Sequence, residues 1–242
     1  MSSAEGTVAE ARRAAAVRAA ELVEPDMLVG LGTGDTAAHA VRALGDKVRA
    51  GLKIAGVPTS RATAELAASL GIRLVEPDDV EALDLTIDGA DEIDPELRLV
   101  KGAGGALVRE RLVARASRRL VIVADEAKLV PRLGAKHRLP VEVLPFGTRW
   151  TVARLAALGL DPRPRSGARS DGGGVLVDCA IDRFTGAAAD LAALAATLKG
   201  LPGVVDHGLF LDEASEAFVG FAADGGHVER RSRSNSASSS VS

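Results

Sequence analysis

Apolar residues recur along the first half of the chain in a pattern that predicts strands and helices in alternation. Leu83 to Asp88 and Leu120 to Ala124 are short and almost wholly apolar, as strands buried on both faces are. Between such stretches lie helical patterns, for example Thr36 to Leu44, which we expect to end at Gly45. Strands and helices that alternate at this length predict a parallel sheet with helices on both faces.

The pattern changes near Pro140. Val141 and Val143 alternate with polar neighbours, which predicts a half-buried strand, and a strong hairpin signal follows at residues 171–174. The predicted order from here is β-α-β-β-α-β, the split unit of ferredoxin-like domains. We therefore expect a Rossmann-like α/β domain over 1–133 and 208–224, and an inserted ferredoxin-like α+β domain over 134–207. Residues 225–242 are rich in Arg and Ser and are expected to form a disordered tail.

Composition narrows the possible partners and the location. The 242 residues are 47% apolar and carry a net charge of −3, with five Phe, one Trp and no Tyr, which gives no reason to expect a nucleic acid partner. The single Cys179 is expected in the core and rules out an intrachain disulfide, which fits a reducing cytoplasm. The apolar stretches are too short to span a membrane, and we see no secretory signal. The four histidines lack the spacing of metal ligands.

The first candidate site is the glycine-rich loop that follows a predicted strand, residues 30–36. Glycines at 30, 32 and 34 let backbone N–H groups approach an anion at the start of the next helix. Asp35 stands where the dinucleotide-binding fingerprint needs a glycine, and no lysine follows as in a P-loop. The loop therefore suits a small phosphate better than a nucleotide, and a plain tight turn is the alternative.

Three further segments with unusual chemistry also follow predicted strands. Residues 88–94 hold four acids, which could be acid/base groups, a solvated turn or a divalent-cation site, and their spacing, unlike that of a calcium loop, argues against the cation. Lys101 precedes a run of glycines and Glu110, and Asp125 precedes Lys128. Because the carboxyl ends of parallel strands meet at one edge, we expect the four segments to converge there. The combination predicts metal-free acid/base chemistry on a small phosphorylated substrate.

These segments together carry a family resemblance. Gly-Leu-Gly-Thr-Gly-Asp-Thr-Ala at 30–37, Asp-Gly-Ala-Asp-Glu at 88–92, Lys-Gly-Ala-Gly-Gly-Ala-Leu-Val-Arg-Glu at 101–110 and Asp-Glu-Ala-Lys at 125–128 resemble type A ribose-5-phosphate isomerases. The resemblance runs from about residue 8 to residue 225. It implies interconversion of ribose 5-phosphate and ribulose 5-phosphate through an enediolate in the non-oxidative pentose phosphate pathway. It also implies that no metal or cofactor is needed and that the chain forms a homodimer or homotetramer.

The resemblance also implies roles for individual residues. Glu110 is the base that moves a proton between C2 and C1, and Asp88, Asp91 and Lys101 assist ring opening and hold the developing oxyanion. The implied substrate-binding set is Thr33, Gly34, Asp35, Thr36, Asp88, Gly89, Ala90, Asp91, Lys101, Gly102, Ala103, Gly104 and Lys128.

Two positions depart from the family pattern. Asp35 stands where a small hydroxyl residue is usual, and its charge would repel a phosphate dianion. Ala103 replaces a usual glycine, so we expect either some backbone strain or a small change in the pocket, because alanine tolerates a positive φ poorly. Asp35 keeps open the alternative of an isomerase for a different or unphosphorylated pentose.

Two other classes of function compete with these readings. One is a non-catalytic sugar-phosphate sensor, although the chain leaves no room for a DNA-binding helix-turn-helix, and the presence of both Lys101 and Glu110 favours an enzyme. The other is a nucleotide-dependent oxidoreductase, which the failed dinucleotide fingerprint argues against.

Overall fold

The computed structural model describes residues 3–184, 188–222 and 227–233, which form three sheets and the helices around them. The strands are β1 Leu28–Leu31, β2 Ala55–Pro58, β3 Arg73–Leu74, β4 Leu85–Gly89, β5 Glu92–Ile93, β6 Leu99–Val100, β7 Leu120–Asp125, β8 Leu139–Val143, β9 Arg163–Arg169, β10 Val175–Cys179, β11 Val204–His207, β12 Leu209–Phe210, β13 Ala214–Phe221 and β14 His227–Ser232. The α-helices are α1 Ser3–Ala20, α2 Asp35–Arg49, α3 Arg61–Ser69, α4 Leu107–Arg115, α5 Thr148–Ala157 and α6 Ala188–Gly200, and short 3₁₀ turns lie at Pro77–Asp79, Glu126–Lys128 and Asp182–Phe184.

The main sheet has seven strands in the order β14-β13-β7-β4-β1-β2-β3. All neighbours in it are parallel except β13 and β14. Side chains of β7 alternate between two cores: Val121 and Val123 pack with α1 and α2, whereas Leu120 and Ile122 pack with α4 and β12. Because both faces are covered, the strand is apolar from Leu120 to Ala124, and it ends at Asp125. The predicted α/β sheet with helices on both faces is confirmed.

A second sheet has four antiparallel strands in the order β11-β8-β10-β9. The chain order β8-α5-β9-β10-α6-β11 is the predicted ferredoxin-like unit, and α5 and α6 cover one face of the sheet. The opposite face packs against α4, so that all five residues of β8 are buried, including the polar Glu142. The prediction of a half-buried strand at Val141 and Val143 is therefore wrong.

We propose that the chain divides as the sequence pattern predicts, into 1–133 with 208–224 and an inserted unit over 134–207. All strands of the four-stranded sheet come from the inserted segment. The main sheet takes β1 to β4 and β7 from the first flanking segment, β13 from the second, and β14 from residues 227–232 beyond both. The chain therefore leaves the main sheet after β7 and returns to it at β13.

The segment expected to be a disordered tail begins with an ordered strand. Residues 227–232 form β14, which pairs antiparallel with β13. Arg230 donates to Glu216 across this pair at 2.6 Å, and Val228 packs against the main core. Alternating side chains and cross-strand charge thus order a segment that its composition alone predicts to be disordered. Residues 225–226 and 234–242 of the expected tail lie outside the described part of the chain.

Gly45 does not end its helix, because α2 continues to Arg49. A Cβ at Gly45 would lie 2.7 Å from Cβ of Leu70, so the glycine lets α2 pack closely against the end of α3. The sequence signal was a packing requirement and was wrongly interpreted as a helix end.

Candidate active site

Most of the residues selected from the sequence line one pocket above the ends of β1, β4 and β7. Lys101 reaches the pocket from another sheet. It follows β6, which belongs to a three-stranded sheet in the order β12-β6-β5. The expectation that all four segments end strands of one sheet is therefore wrong for Lys101. The pocket is lined by Thr33, Gly34, Asp35, Thr36, Gly89, Ala90, Asp91, Lys101, Gly102, Ala103, Gly104, Glu110 and Lys128, and also by Arg12.

A buried charge cluster forms the floor of this pocket. The Lys101 ammonium lies 3.0 Å from Oδ2 of Asp88 and 3.5 Å from Oε2 of Glu110, and it donates to the Gly89 carbonyl at 2.5 Å. The side chains of Lys101, Asp88 and Glu110 are 2%, 0% and 4% exposed. Asp88 lies behind the lysine and outside the lining residues of the pocket. The geometry therefore lets Asp88 act through Lys101, while Lys101 and Glu110 face the cavity.

Burial and charge shift the pKa values in this cluster. Burial raises the pKa of Glu110 to about 8; Lys101 opposes this shift and Asp88 adds to it. Burial alone would lower the pKa of Lys101, but the carboxylates of Asp88 and Glu110 outweigh it and raise this pKa to about 12. A carboxyl group with a pKa near neutrality next to a fixed cation is suited to accept and return a proton.

Asp91 holds the turn that follows Lys101. The Ala103 N–H donates to Oδ2 of Asp91 at 2.8 Å. Gly102 and Gly105 have φ values of 99° and 85°, which favour glycine, whereas Ala103 is not among the residues with positive φ. Ala103 therefore fits the turn without backbone strain, and the expected strain at this position does not occur.

The glycine-rich loop is shaped by Asp88 from below. Oδ1 of Asp88 accepts the N–H groups of Thr33 and Gly89, at 3.0 Å and 2.7 Å. A Cβ at Gly32 would lie 2.3 Å from this oxygen, so only glycine fits there. Gly34, with a φ of 103°, then leads into α2, whose first residues Asp35 and Thr36 line the pocket. The unpaired backbone N–H groups of a helix start favour an anion, and binding of a phosphate by this loop stays a prediction.

The hydroxyl of Thr33 is held by a second layer of hydroxyl groups. Its Oγ1 lies 2.6 Å from Oγ1 of Thr59, 2.8 Å from Oγ of Ser60 and 3.2 Å from Oγ1 of Thr63. Those three partners are buried, so the network fixes the loop from the side opposite the pocket. Thr59 and Ser60 thereby support the site without lining it.

Arg12 is a site residue that the sequence reasoning missed. It extends from α1 and donates from Nε to Oδ2 of Asp125 at 2.6 Å, and it lines the pocket together with Lys128. Asp125 also accepts the N–H of Ala127 at 2.9 Å, as expected for a helix N-cap. No signal in the sequence marks Arg12, because its place beside the pocket follows from the packing of α1 against β7.

Histidine and cysteine do not contribute to this pocket. Within the described residues, no group of three or more His, Cys, Asp or Glu side chains is arranged to hold a metal ion. His207 is buried beside Arg111, and burial lowers the pKa of its ring to about 4. Cys179 is fully buried, which confirms its expected place in the core, and burial raises the pKa of its thiol to about 12. In the described ranges, no helix is both long and apolar enough to cross a bilayer.

Comparison with known proteins gives the same family as the motifs. Residues 55–224 match the family model described as Ribose 5-phosphate isomerase A (phosphoriboisomerase A). The ribose-5-phosphate isomerase A of Thermomicrobium roseum is 54% identical over 216 residues, which cover 87% of this chain and 90% of the relative. That of Parvibaculum lavamentivorans is 50% identical over 220 residues, which cover 86% and 93%.

Solved structures agree in fold. Ribose 5-phosphate isomerase A from Methanocaldococcus jannaschii superposes with a TM-score of 0.85 at 32% identity, covering 92% of this chain and 98% of that one. A D-ribose-5-phosphate isomerase in complex with phospho-erythronic acid gives 0.86 at 33% identity, covering 93% and 99%. With the pocket, the buried Lys101–Glu110 pair and these relatives taken together, the chain belongs to the ribose 5-phosphate isomerase A family.

Proposed function

We propose that this protein interconverts ribose 5-phosphate and ribulose 5-phosphate by proton transfer through Glu110. Membership of the family supports the reaction, and it argues against the alternatives of a sugar-phosphate sensor and a nucleotide-dependent oxidoreductase. The single observation that carries the mechanism is the distance of 3.5 Å between the Glu110 carboxylate and the Lys101 ammonium on the pocket floor. This pair offers a base and a fixed positive charge to the same substrate atoms.

The proton transfer needs an open-chain sugar whose C2 hydrogen faces Glu110. The glutamate removes this proton, the C–H electron pair forms a double bond between C1 and C2, and the carbonyl electron pair moves onto the oxygen at C1. The C2 hydroxyl proton then passes to the oxygen at C1, and Glu110 returns its proton to C1, which leaves a ketone at C2 and a hydroxyl group at C1. The raised pKa of Glu110 matches this double role, because the group must release the proton as readily as it takes it. Burial of the carboxyl group also keeps competing water away from it.

Lys101 stabilises the negative charge that develops on the enediolate oxygen. Its ammonium is already fixed by Asp88 and by the Gly89 carbonyl, so it needs no reorganisation when the charge appears. Asp91 faces the same cavity and is suited to move a proton during opening of the sugar ring. Asp88 acts indirectly in this scheme, because it holds the lysine and shapes the glycine-rich loop.

The phosphate is bound at the other end of the pocket. Backbone N–H groups at the start of α2 combine with the side chains of Lys128 and Arg12 to form an anion site. Asp35 lines the same region and is exposed, so its charge acts against the phosphate. One solved relative holds phospho-erythronic acid, a phosphorylated sugar acid, which supports a site that accepts a phosphate together with a second anionic oxygen.

The direct test is turnover of ribose 5-phosphate by the wild-type protein and by Glu110→Gln, with a metal chelator present. We expect the variant to lose about 10²–10⁴-fold in kcat, as removal of a general base does, and the chelator to have no effect. Glu65→Gln, at an exposed position on α3, is the matched control and should keep full activity. Full activity of Glu110→Gln would refute the mechanism. Faster turnover of ribose than of ribose 5-phosphate would favour the unphosphorylated substrate that Asp35 tolerates.

We also propose that the protein is a homo-oligomer of the cytoplasm. Leu144, Phe146 and Trp150 are 50%, 84% and 69% exposed, and the rings of Phe146 and Trp150 contact each other edge to face. Exposed apolar groups of this size mark interaction surfaces, and a second copy of the chain would cover them. Sedimentation of the wild type and of Trp150→Ser at several protein concentrations tests this, since the oligomer of the variant should dissociate at a higher concentration than that of the wild type.

The proposed cytoplasmic location suits the single buried Cys179, and cell fractionation tests that location.

A further inference from the structure

We propose that Arg165 is a positioning residue for the turn of residues 101–105 and, through this turn, for Asp91. The inference rests on the proposed function, because Asp91 and the turn line the pocket in which the sugar phosphate would bind. Arg165 lies on β9 of the four-stranded sheet, 62 residues away in sequence from the backbone group that it contacts. Among the described residues, those that line the pocket do not include Arg165, so it acts through its neighbours and not on the substrate.

The guanidinium of Arg165 is held rigidly before it reaches the turn. Its Nε and one terminal nitrogen donate to the two carboxylate oxygens of Asp178, at 2.8 Å and 2.7 Å. Asp178 lies on the neighbouring strand β10, so the pair of parallel bonds fixes the plane of the guanidinium against the sheet. The other terminal nitrogen donates to the Ala103 carbonyl at 2.7 Å. The third contact is thus directed by the first two.

Ala103 is therefore held from both sides. Its N–H donates to Asp91 on the pocket side, and its carbonyl accepts from Arg165 on the outer side. The flanking Gly102 and Gly105 both have positive φ, and glycines give a turn more conformations to lose than other residues do. Two anchors on one residue offset this freedom, and they fix the direction in which the Ala103 N–H meets Asp91.

The hairpin that carries Arg165 is itself anchored at its tip. Oδ2 of Asp171, in the turn between β9 and β10, accepts the Arg61 N–H at the start of α3 at 2.7 Å. The same oxygen lies 3.5 Å from the Arg109 guanidinium on α4. At the other end, a Cβ on Gly105 would lie 2.9 Å from Cδ1 of Leu176, so β10 packs directly against the turn. The hairpin is a fixed support for the position of Ala103.

The test is steady-state kinetics of Arg165→Lys with ribose 5-phosphate. Lysine keeps the charge but cannot hold both oxygens of Asp178 and reach Ala103 as well. We expect KM to rise about tenfold, the usual effect of losing one charge-assisted hydrogen bond, with kcat lowered by less than about threefold because Glu110 and Lys101 are untouched. Asp178→Asn, which removes the support of the guanidinium, should raise KM in the same way.

The matched control is Arg163→Lys, two residues earlier on the same strand. Arg163 donates only to the exposed Asp161 among the bonds described, so this variant should keep the wild-type KM. A second readout separates positioning from general loss of stability: the backbone amide resonance of Ala103 in ¹⁵N-labelled protein should move in Arg165→Lys and stay in place in Arg163→Lys. Thermal unfolding of each variant identifies the fraction that is folded.

Several results would overturn the proposal. A wild-type KM in Arg165→Lys together with an unmoved Ala103 amide resonance would exclude the positioning role. An equal rise of KM in Arg163→Lys would show that any change on β9 has this effect, and would exclude it as well. Failure of the wild-type protein to convert ribose 5-phosphate would refute the proposed function instead, so the two failures are distinguishable.

Discussion

Glu110→Gln should stabilise the folded protein, and the gain should grow with pH. The pKa of this carboxyl group rises from 4.5 to about 8 on folding, mainly because the group is buried. Between these values the folded protein keeps the proton while the unfolded chain has lost it, so stability falls as pH rises and levels off above about 8. At about 1.4 kcal/mol per pH unit, the full effect on the free energy of unfolding is at most about 5 kcal/mol.

The assay is urea unfolding of the wild type and Glu110→Gln at several pH values from 5 to 9. The difference in the free energy of unfolding between the two proteins should increase from pH 5 to about pH 8 and then level off, because glutamine has no proton to lose. Glu65→Gln provides the baseline, since its exposed side chain should give a difference that does not change with pH. A difference for Glu110→Gln that is equally flat would show that the buried carboxyl group ionises normally, and the reasoning about its pKa would fail.

Three other substitutions test the site. Asp88→Asn should move the acid limb of the pH profile of kcat/KM to lower pH, because Asp88 raises the pKa of Glu110, and an unmoved limb would contradict this coupling. Asp35→Ser should lower KM for ribose 5-phosphate by removing a charge that repels the phosphate, and an unchanged or higher KM would refute the repulsion. Arg12→Met should raise KM about tenfold by removing a cation from the phosphate end, whereas Arg13→Met, whose guanidinium donates to the exposed Glu10, should keep the wild-type KM.

The main sheet was predictable because its strands obey a simple physical rule. A strand covered on both faces is mostly apolar, and β7 shows this pattern from Leu120 to Ala124 before it ends at Asp125. The three-stranded sheet was not predictable in the same way. Each of its strands β5, β6 and β12 has two residues, which is too few for any periodicity. The sequence could therefore place Lys101 at a strand end but could not show that this strand belongs to another sheet.

The candidate site was also predictable only in part. Motifs in continuous sequence brought out Glu110, Lys101 and the glycine-rich loop, because each combines chemistry with a recognisable turn. Arg12 and Arg165 come from a helix and a strand whose patterns look ordinary, and only the folded chain shows that they reach Asp125 and Ala103. These arginines were missed because a contact between residues far apart in the sequence does not change the local spacing of apolar and polar residues.

The last strand has a consequence for anyone who shortens or tags this chain. β14 covers the outer edge of β13, which carries the apolar Phe218 and Val219, and β14 itself presents Arg231 and Glu229 to water. A bare, apolar edge invites pairing with strands of other molecules, and charged side chains on the outermost strand discourage it. A truncation after residue 224 would uncover that edge, and the shortened protein should tend to aggregate on concentration even with its catalytic pocket intact.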